Sequence, residues 1–449
     1  MSSSTPEPES AERHAHVIAE EYAVARAYRG VTTPAERSRA FGILFVSLLC
    51  MGAGQSVINP ILQAIGPSLH LRPVEVNSIF ACSALIWIFS SPYWGTRSDV
   101  WGRKPVMLLG LVAFAVSFAA FASILELAVR HAIAVTLTFP LLIASRCIFG
   151  TFGSGTSAAA QAYIADRTTP KERLSGVAVI SMAFALGTTA GPAVGAMLTY
   201  VDILTPFYFV SIAAVLSAVA IWLFLPERTP PQAHALRPGT LRWYEPRMFP
   251  FVVFGVVLSL VGSIPQLILG FFLHDMLKAG AAEVMRLTSI GFVISALAML
   301  FAQFVIVRRF RRSSRILIVV GILIAAFSNL VFLTAHDFPM AAIALALSGL
   351  GIGMARPGFT AGASLSVAPH EQGAVAGLLG TAGAAGFIFG PLIGWLYEIA
   401  PPLPYVFGGV AMLGLLAAQF LSPVLYRAGD IPPDSEVVDE HAETPVSEG

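Results

Sequence analysis

The sequence predicts an all-α membrane protein, with twelve transmembrane helices in two pseudo-symmetric six-helix bundles. Three observations predict it. Of 449 residues, 56% are hydrophobic and 12% are charged, with a mean hydropathy of +0.76; a soluble domain carries about 25% charged residues. Apolar runs of bilayer length, about 20 residues each, recur along the chain. A pattern, G-x-x-x-G-P-x-x-G, occurs twice at an offset of 199 residues. The Gly and Pro within the runs fit helical bundles, and no barrel-like alternation appears.

Residues 1–38 are polar and acidic and lack the basic start and short apolar core of a cleaved leader. They read as a cytosolic tail with an amphipathic helix near 17–28. Six spans follow within 39–225, at 41–65, 76–94, 105–125, 138–163, 174–199 and 205–225. A Pro- and Arg-containing linker, 226–248, leads to six more within 249–426, at 250–273, 285–307, 315–335, 340–365, 373–397 and 404–425. The acidic tail 427–449 has a disordered composition. Cys50, Cys82 and Cys147 all lie in apolar runs and suggest no disulfide framework.

Lys and Arg set the orientation. With the N-terminus inside, 21 of them fall on inner segments and 4 on outer loops. Both termini are then cytosolic, in a multi-pass protein of the cell membrane. Net charge is +1, so nothing points to nucleic acid.

The repeat places Gly187, Gly191, Pro192 and Gly195 in the fifth span and Gly386, Gly390, Pro391 and Gly394 in the eleventh. The same offset maps Gly150 onto Gly349, Pro170 onto Pro369 and Glu172 onto Glu371. Parallel halves about a central site are the plan of many secondary transporters. The glycines and proline permit close packing and a kink, and are expected to serve both as packing and as a hinge against the eighth span.

Between the second and third spans stands GTRSDVWGRKP. Gly95 and Gly102 are expected to let the backbone bend and approach a neighbour. Arg103 and Lys104 follow the positive-inside bias. Asp99 does not, so it is assigned to nearby arginines or to a helix N-terminus. Asp166, at the inner end of the fourth span, is positioned to pair with Arg103.

That stretch resembles the loop between helices two and three of the major facilitator superfamily, through Gly95, Asp99, Gly102, Arg103 and Lys104. RCIFGTFG, from Arg146, is similar to the superfamily's fourth-helix motif. GTTAGPAVG resembles the fifth-helix signature of proton-coupled drug exporters, and QAYIADRTTPKER looks like tetracycline-type exporters. The resemblance covers about residues 40–426. It implies drug:proton antiport, and for Asp99 a partner at the N-terminus of helix eleven, near Gly373. These bonds would close the inner gate in the outward-open state only. The chain departs from the family in three places: Leu48 and Leu49 stand where an acid is usual, Gln63 where a second proline is, and RRFRRSSR at 308–315 lacks Asp and Gly. No proton-carrying carboxylate is therefore identified.

Two cations lie inside spans. Arg146 is near the middle of the fourth and is read as facing a cavity; Arg356, in the tenth, is nearer the cytosol, where snorkelling competes with a cavity role. Gln55, Asn59, Gln161, Gln266 and Asn329 are candidate cavity liners or helix bridges. His274–Asp275 and His336–Asp337 read as solvated helix-end pairs or outer proton relays. GLGIGMARPG lies in an apolar run without a preceding strand, no phosphate-binding Lys loop exists, and no Cys/His cluster suggests a metal. No cofactor and no enzymatic activity are expected. The expected partners are a small molecule, protons and lipid, with the chain a monomer. The reading is proton-coupled export of apolar or amphipathic compounds; import or facilitated passage of a metabolite, and a non-transporting receptor, are the alternatives.

Overall fold

A computed structural model of the protein describes residues 34–167, 170–226, 244–309, 314–365 and 386–428, with isolated positions between 375 and 383. The amphipathic helix near 17–28, most of the linker, the acidic tail and the neighbourhood of Gly373 lie outside the described residues.

Apolar stretches with few breakers become helices because a bilayer offers backbone groups no other partner. In order they are α1 (Pro34–Ile65), α2 (Pro73–Trp101), α3 (Arg103–Val129), α4, α5 (Pro170–Leu198) and α6 (Thr205–Phe224). The second half holds α7 (Phe249–Leu277), α8, α9 (Ser314–Leu333), α10 (Phe338–Leu365), α11, described over Gly390–Ile399, and α12 (Leu403–Leu421). α4 runs from Val135–Ile148 through a π turn, Phe149–Gly153, into Ser154–Arg167. α8 similarly passes from Ala281–Phe301 through a π turn, Ala302–Ile306. Among the described residues ten helices are long and apolar enough to cross a membrane; α5 and the described part of α11 lie where the two further spans are predicted. Large apolar side chains such as Val112, Leu216, Trp222, Leu297 and Phe327 point outward, as lipid-facing positions do.

α2 is longer than hydropathy suggested. The polar TRSDVW segment stays helical to Trp101, because no breaker intervenes and the Thr96 and Ser98 hydroxyls donate to carbonyls one turn back. The reversal into α3 falls on Gly102 alone, at φ 96°, a region where a Cβ is strained. Gly95 departs from its expected role: it lies within α2, and a Cβ there would meet nothing.

Helix pairing follows the repeat. In the first half α1 packs on α6, α2 on α4, and α3 on α4 and α6; in the second, α7 packs on α12, α8 on α10, and α9 on α10 and α12. Contacts between halves obey the same six-helix shift: α2 meets α11 as α8 meets α5, α1 meets α8 as α7 meets α2, and α1 meets α7.

Candidate transport site

Arg103, Asp99, Lys104 and Asp166 meet at the end of the bundle that also carries Arg97 and Arg167, called here the basic end. Arg103 is the first residue of α3 and is buried. Its Nη2 lies 2.5 Å from Asp99 Oδ1, its Nε 3.1 Å from Asp166 Oδ2, and its Nη1 donates to Ser98 Oγ at 2.5 Å. One guanidinium thus clamps α2 and α4 to the start of α3. Lys104 Nζ donates to Leu225 O at 2.9 Å, and Tyr163 Oη and Arg167 Nη2 donate to Pro226 O at 3.0 and 3.2 Å. Cations at a helix C-terminus complement its partial negative charge, and these fasten the end of α6.

The clamp lies entirely within the first half. It is formed while the halves are closed together at the opposite, distal end, so it is not peculiar to a posture open there. Any posture-dependent part belongs to the contact expected near Gly373, outside the described residues.

At the distal end, Gln63 of α1 is fully buried and reaches α7. Its Nε2 donates to Gln266 O at 2.5 Å, and Gly270 N donates to its Oε1 at 2.7 Å. These groups are the acceptor and donor of one α7 turn, so an amide from one half lies across a turn of the other. The side chain of Gln266 itself is exposed, and the contact to Gln63 is made by its backbone carbonyl. Alongside, Val74 N at the start of α2 donates to Glu398 Oε1 of α11 at 3.0 Å, and Asn77 packs against Gly390. Asn77 is buried, and neither amide atom has a partner among the described residues.

The repeated glycines act chiefly in packing. A Cβ on Gly187 would lie 2.1 Å from Leu49 O, one on Gly191 2.0 Å from Ser56 Oγ, and one on Gly195 3.2 Å from Val57, all on α1. The α5 row therefore faces α1 rather than the expected α8. Gly386 copies this, facing Ser259 of α7 at 2.6 Å. Gly394 does not: its Cβ would lie 2.8 Å from Pro73 O of α2, across the interface between halves. Pro192 and Pro391 sit inside α5 and in the first turn of the described α11.

In the membrane interior, Arg146 is buried and donates through Nη2 to Gln55 Oε1. Its guanidinium carbon lies 4.7 Å from the Phe149 ring centroid and 5.6 Å from that of Phe118. Its Nε and Nη1 have no hydrogen-bond partner among the described residues. Asn59 is buried with Oδ1 likewise unpartnered, and Gln161 donates to Ser157 Oγ on its own helix at 3.3 Å. Asn329 is buried, donates to Ala325 O of its own helix at 2.8 Å and packs on Gly408 of α12. Arg356 is exposed. Its α10 neighbours Ile352 and Phe359 contact α7 at Gly262 and Gly255, and Gly353 contacts Met299 of α8. Helical spacing aims residue 356 into the gap between α7 and α8.

The family model of the Major Facilitator Superfamily matches residues 44–391 and 277–448. The chain belongs to this superfamily. Among curated relatives, Multidrug resistance protein 1 of Bacillus subtilis (strain 168) is 26% identical over 377 residues, covering 82% of this chain and 92% of its own. Tetracycline resistance protein, class C, of Escherichia coli is 28% identical over 366 residues, covering 78% and 86%. A crystal structure of a bacterial homologue of the human lysosomal transporter Spinster, inward-facing and occupied, superposes with a TM-score of 0.71 at 15% identity, covering 90% of this chain and all of that one. The superfamily member described here spans the membrane many times and is similar to proteins named for multidrug and tetracycline resistance.

Sequence reasoning missed Gln63 and Glu398 as contacts between halves. The signal for Gln63 was present, as an amide standing where the family usually has proline. Glu398 offered none, because a helix-end acid looks like any solvated charge.

Proposed function

We propose that this superfamily member exports small amphipathic compounds by alternating access, driven by the proton-motive force. One observation carries the reading: among the described residues the polar contacts between halves at the distal end are two neutral hydrogen bonds and one exposed carboxylate contact, beside the packing of Gly390 and Gly394 on α2, a seal able to open and close. Two such bonds contribute about 1–3 kcal/mol, within reach of a ligand's differential affinity for two postures. The curated relatives named for multidrug and tetracycline resistance support export. The charge asymmetry supports a cytosolic basic end with both termini inside, and the reading takes the functional unit as a monomer. The clamp at Arg103, with Asp99, Asp166 and the hinge-like Gly102, keeps the basic end of the first half rigid while the halves rock. The interior polar groups around Gln55, Asn59, Arg146, Gln161 and Arg356 form the substrate path.

Purified chain in proteoliposomes tests this. Accumulation of an amphipathic compound against its gradient, dependent on an imposed proton-motive force, is the expected result. Cells that overproduce the chain should tolerate that compound better. Greater sensitivity of such cells, with uptake inward, would favour the importer alternative.

A further inference from the structure

Every carboxylate on the described helices lies within three residues of a helix end: Glu36, Glu75, Asp99, Glu126, Asp166, Glu172, Asp275, Glu283 and Glu398. The rest of the membrane interior holds no acid and two arginines, one from each half. Charges placed there are costly and face a pathway or a partner. Arg146 has Gln55 and two aromatic faces, but no anion, and two of its nitrogens are unpartnered among the described residues. Arg356 has no acidic partner among the described residues and keeps solvent access. Among the described residues no carboxylate balances either cation.

We propose that the missing acid is the cargo: the chain carries small amphipathic organic anions, held by Arg356 and then by Arg146. This rests on the transport reading above and names its substrate class. The guanidinium fork suits carboxylate, sulfonate or phosphate oxygens. Residue 356 lies about 13 Å of helix rise from Leu365, nine residues on and the last described residue of α10 toward the basic end, and residue 146 about 16 Å from the start of α4 at the distal end, with eleven residues from Val135. Arg356 is therefore the nearer station for an anion arriving from the basic end, and Arg146 the deeper one. The aromatic rings of Phe118 and Phe149 beside Arg146 suit an apolar body on the same molecule.

The energetic consequence is specific. With no carboxylate inside the described spans to carry a proton, the substrate's own charge couples it to the electrical part of the proton-motive force. Leaving a cell whose interior is negative then drives the anion outward, and 100 mV sustains about a fiftyfold gradient of a monovalent species.

The test uses the full chain in proteoliposomes with potassium gradients and valinomycin setting the potential. The probes are dansylate, a fluorescent aryl sulfonate that is anionic at any working pH, and ethidium as cationic comparator. The expected result is accumulation of dansylate toward the positive side, rising with the imposed potential, and none of ethidium. Arg356→Gln should raise the half-saturating dansylate concentration at least tenfold and Arg356→Lys much less, with thermal unfolding of both unchanged. Accumulation of ethidium without dansylate overturns the proposal and leaves the transport reading intact, as does dansylate transport indifferent to Arg356→Gln. Movement of neither probe above protein-free vesicles, repeated for neutral tetracycline, overturns both.

Discussion

Replacing Gln63 with Leu should loosen the distal seal without disturbing either half. The side chain is fully buried and makes two hydrogen bonds to α7, at 2.5 and 2.7 Å. Each neutral bond contributes about 0.5–1.5 kcal/mol. Gln266 O and Gly270 N can serve each other as ordinary helix partners once the amide is gone, so neither is left an orphan. The net loss is then about 1–2 kcal/mol, and the ratio of closed to open distal ends falls about 5- to 30-fold. Leucine keeps the volume, so no cavity term is added. Spin labels at Val201 and Gly280, exposed distal positions of the two halves, would report this in a background with Cys50, Cys82 and Cys147 replaced. The label-to-label distance distribution should gain a longer component. An unchanged distribution in a normally folded variant would refute the assignment of Gln63 as a seal.

Further perturbations separate the remaining contacts. Gly394→Val places side-chain atoms against Pro73 O, where a Cβ alone would lie at 2.8 Å, and should hold the distal end open more fully than Gln63→Leu in the same distance measurement. Asp99→Asn removes a charge from Arg103; the variant should insert and fold but lose transport, and wild-type rates would sink that role. Gly187→Val must push α5 off α1, with an overpacking cost of about 1–3 kcal/mol, and should lower the unfolding temperature in detergent. Gly102→Ala strains a backbone at φ 96° by about 1–3 kcal/mol, displacing Arg103; a matching loss of thermal stability checks it.

The spans were legible because hydropathy and length suffice where the solvent is lipid. The two interior arginines were legible for the same reason, as expensive exceptions. What was not legible is where a helix stops once it leaves the bilayer. α2 continues seven residues beyond the apolar run that ends at Trp94, since hydropathy measures solvent and not backbone conformation. Nor could the sequence name the partner of a small residue. The α5 and α11 copies share one pattern, yet Gly191 abuts α1 within its half and Gly394 abuts α2 across the interface. Asn329, expected as a cavity liner or a helix bridge, packs on Gly408 of α12, a neighbour that the sequence alone does not name.

The π turn at Phe149–Gly153 has a consequence for comparing chains of this kind. It holds one residue more than the α turn it replaces, and the surplus carbonyl of Thr151 is met by the Trp94 indole N–H at 2.6 Å. Removing a single residue there would restore a plain α turn and leave the segments before and after it facing much as they do. Arg146 would keep its direction toward Gln55 while Asp166 stayed on Arg103. The interval of 20 residues from Arg146 to Asp166 (166 − 146) therefore spans the same turn as one residue fewer on an unbroken α-helix. A related chain that keeps this interval but lacks the π turn aims its guanidinium about 100° away, at a different neighbour.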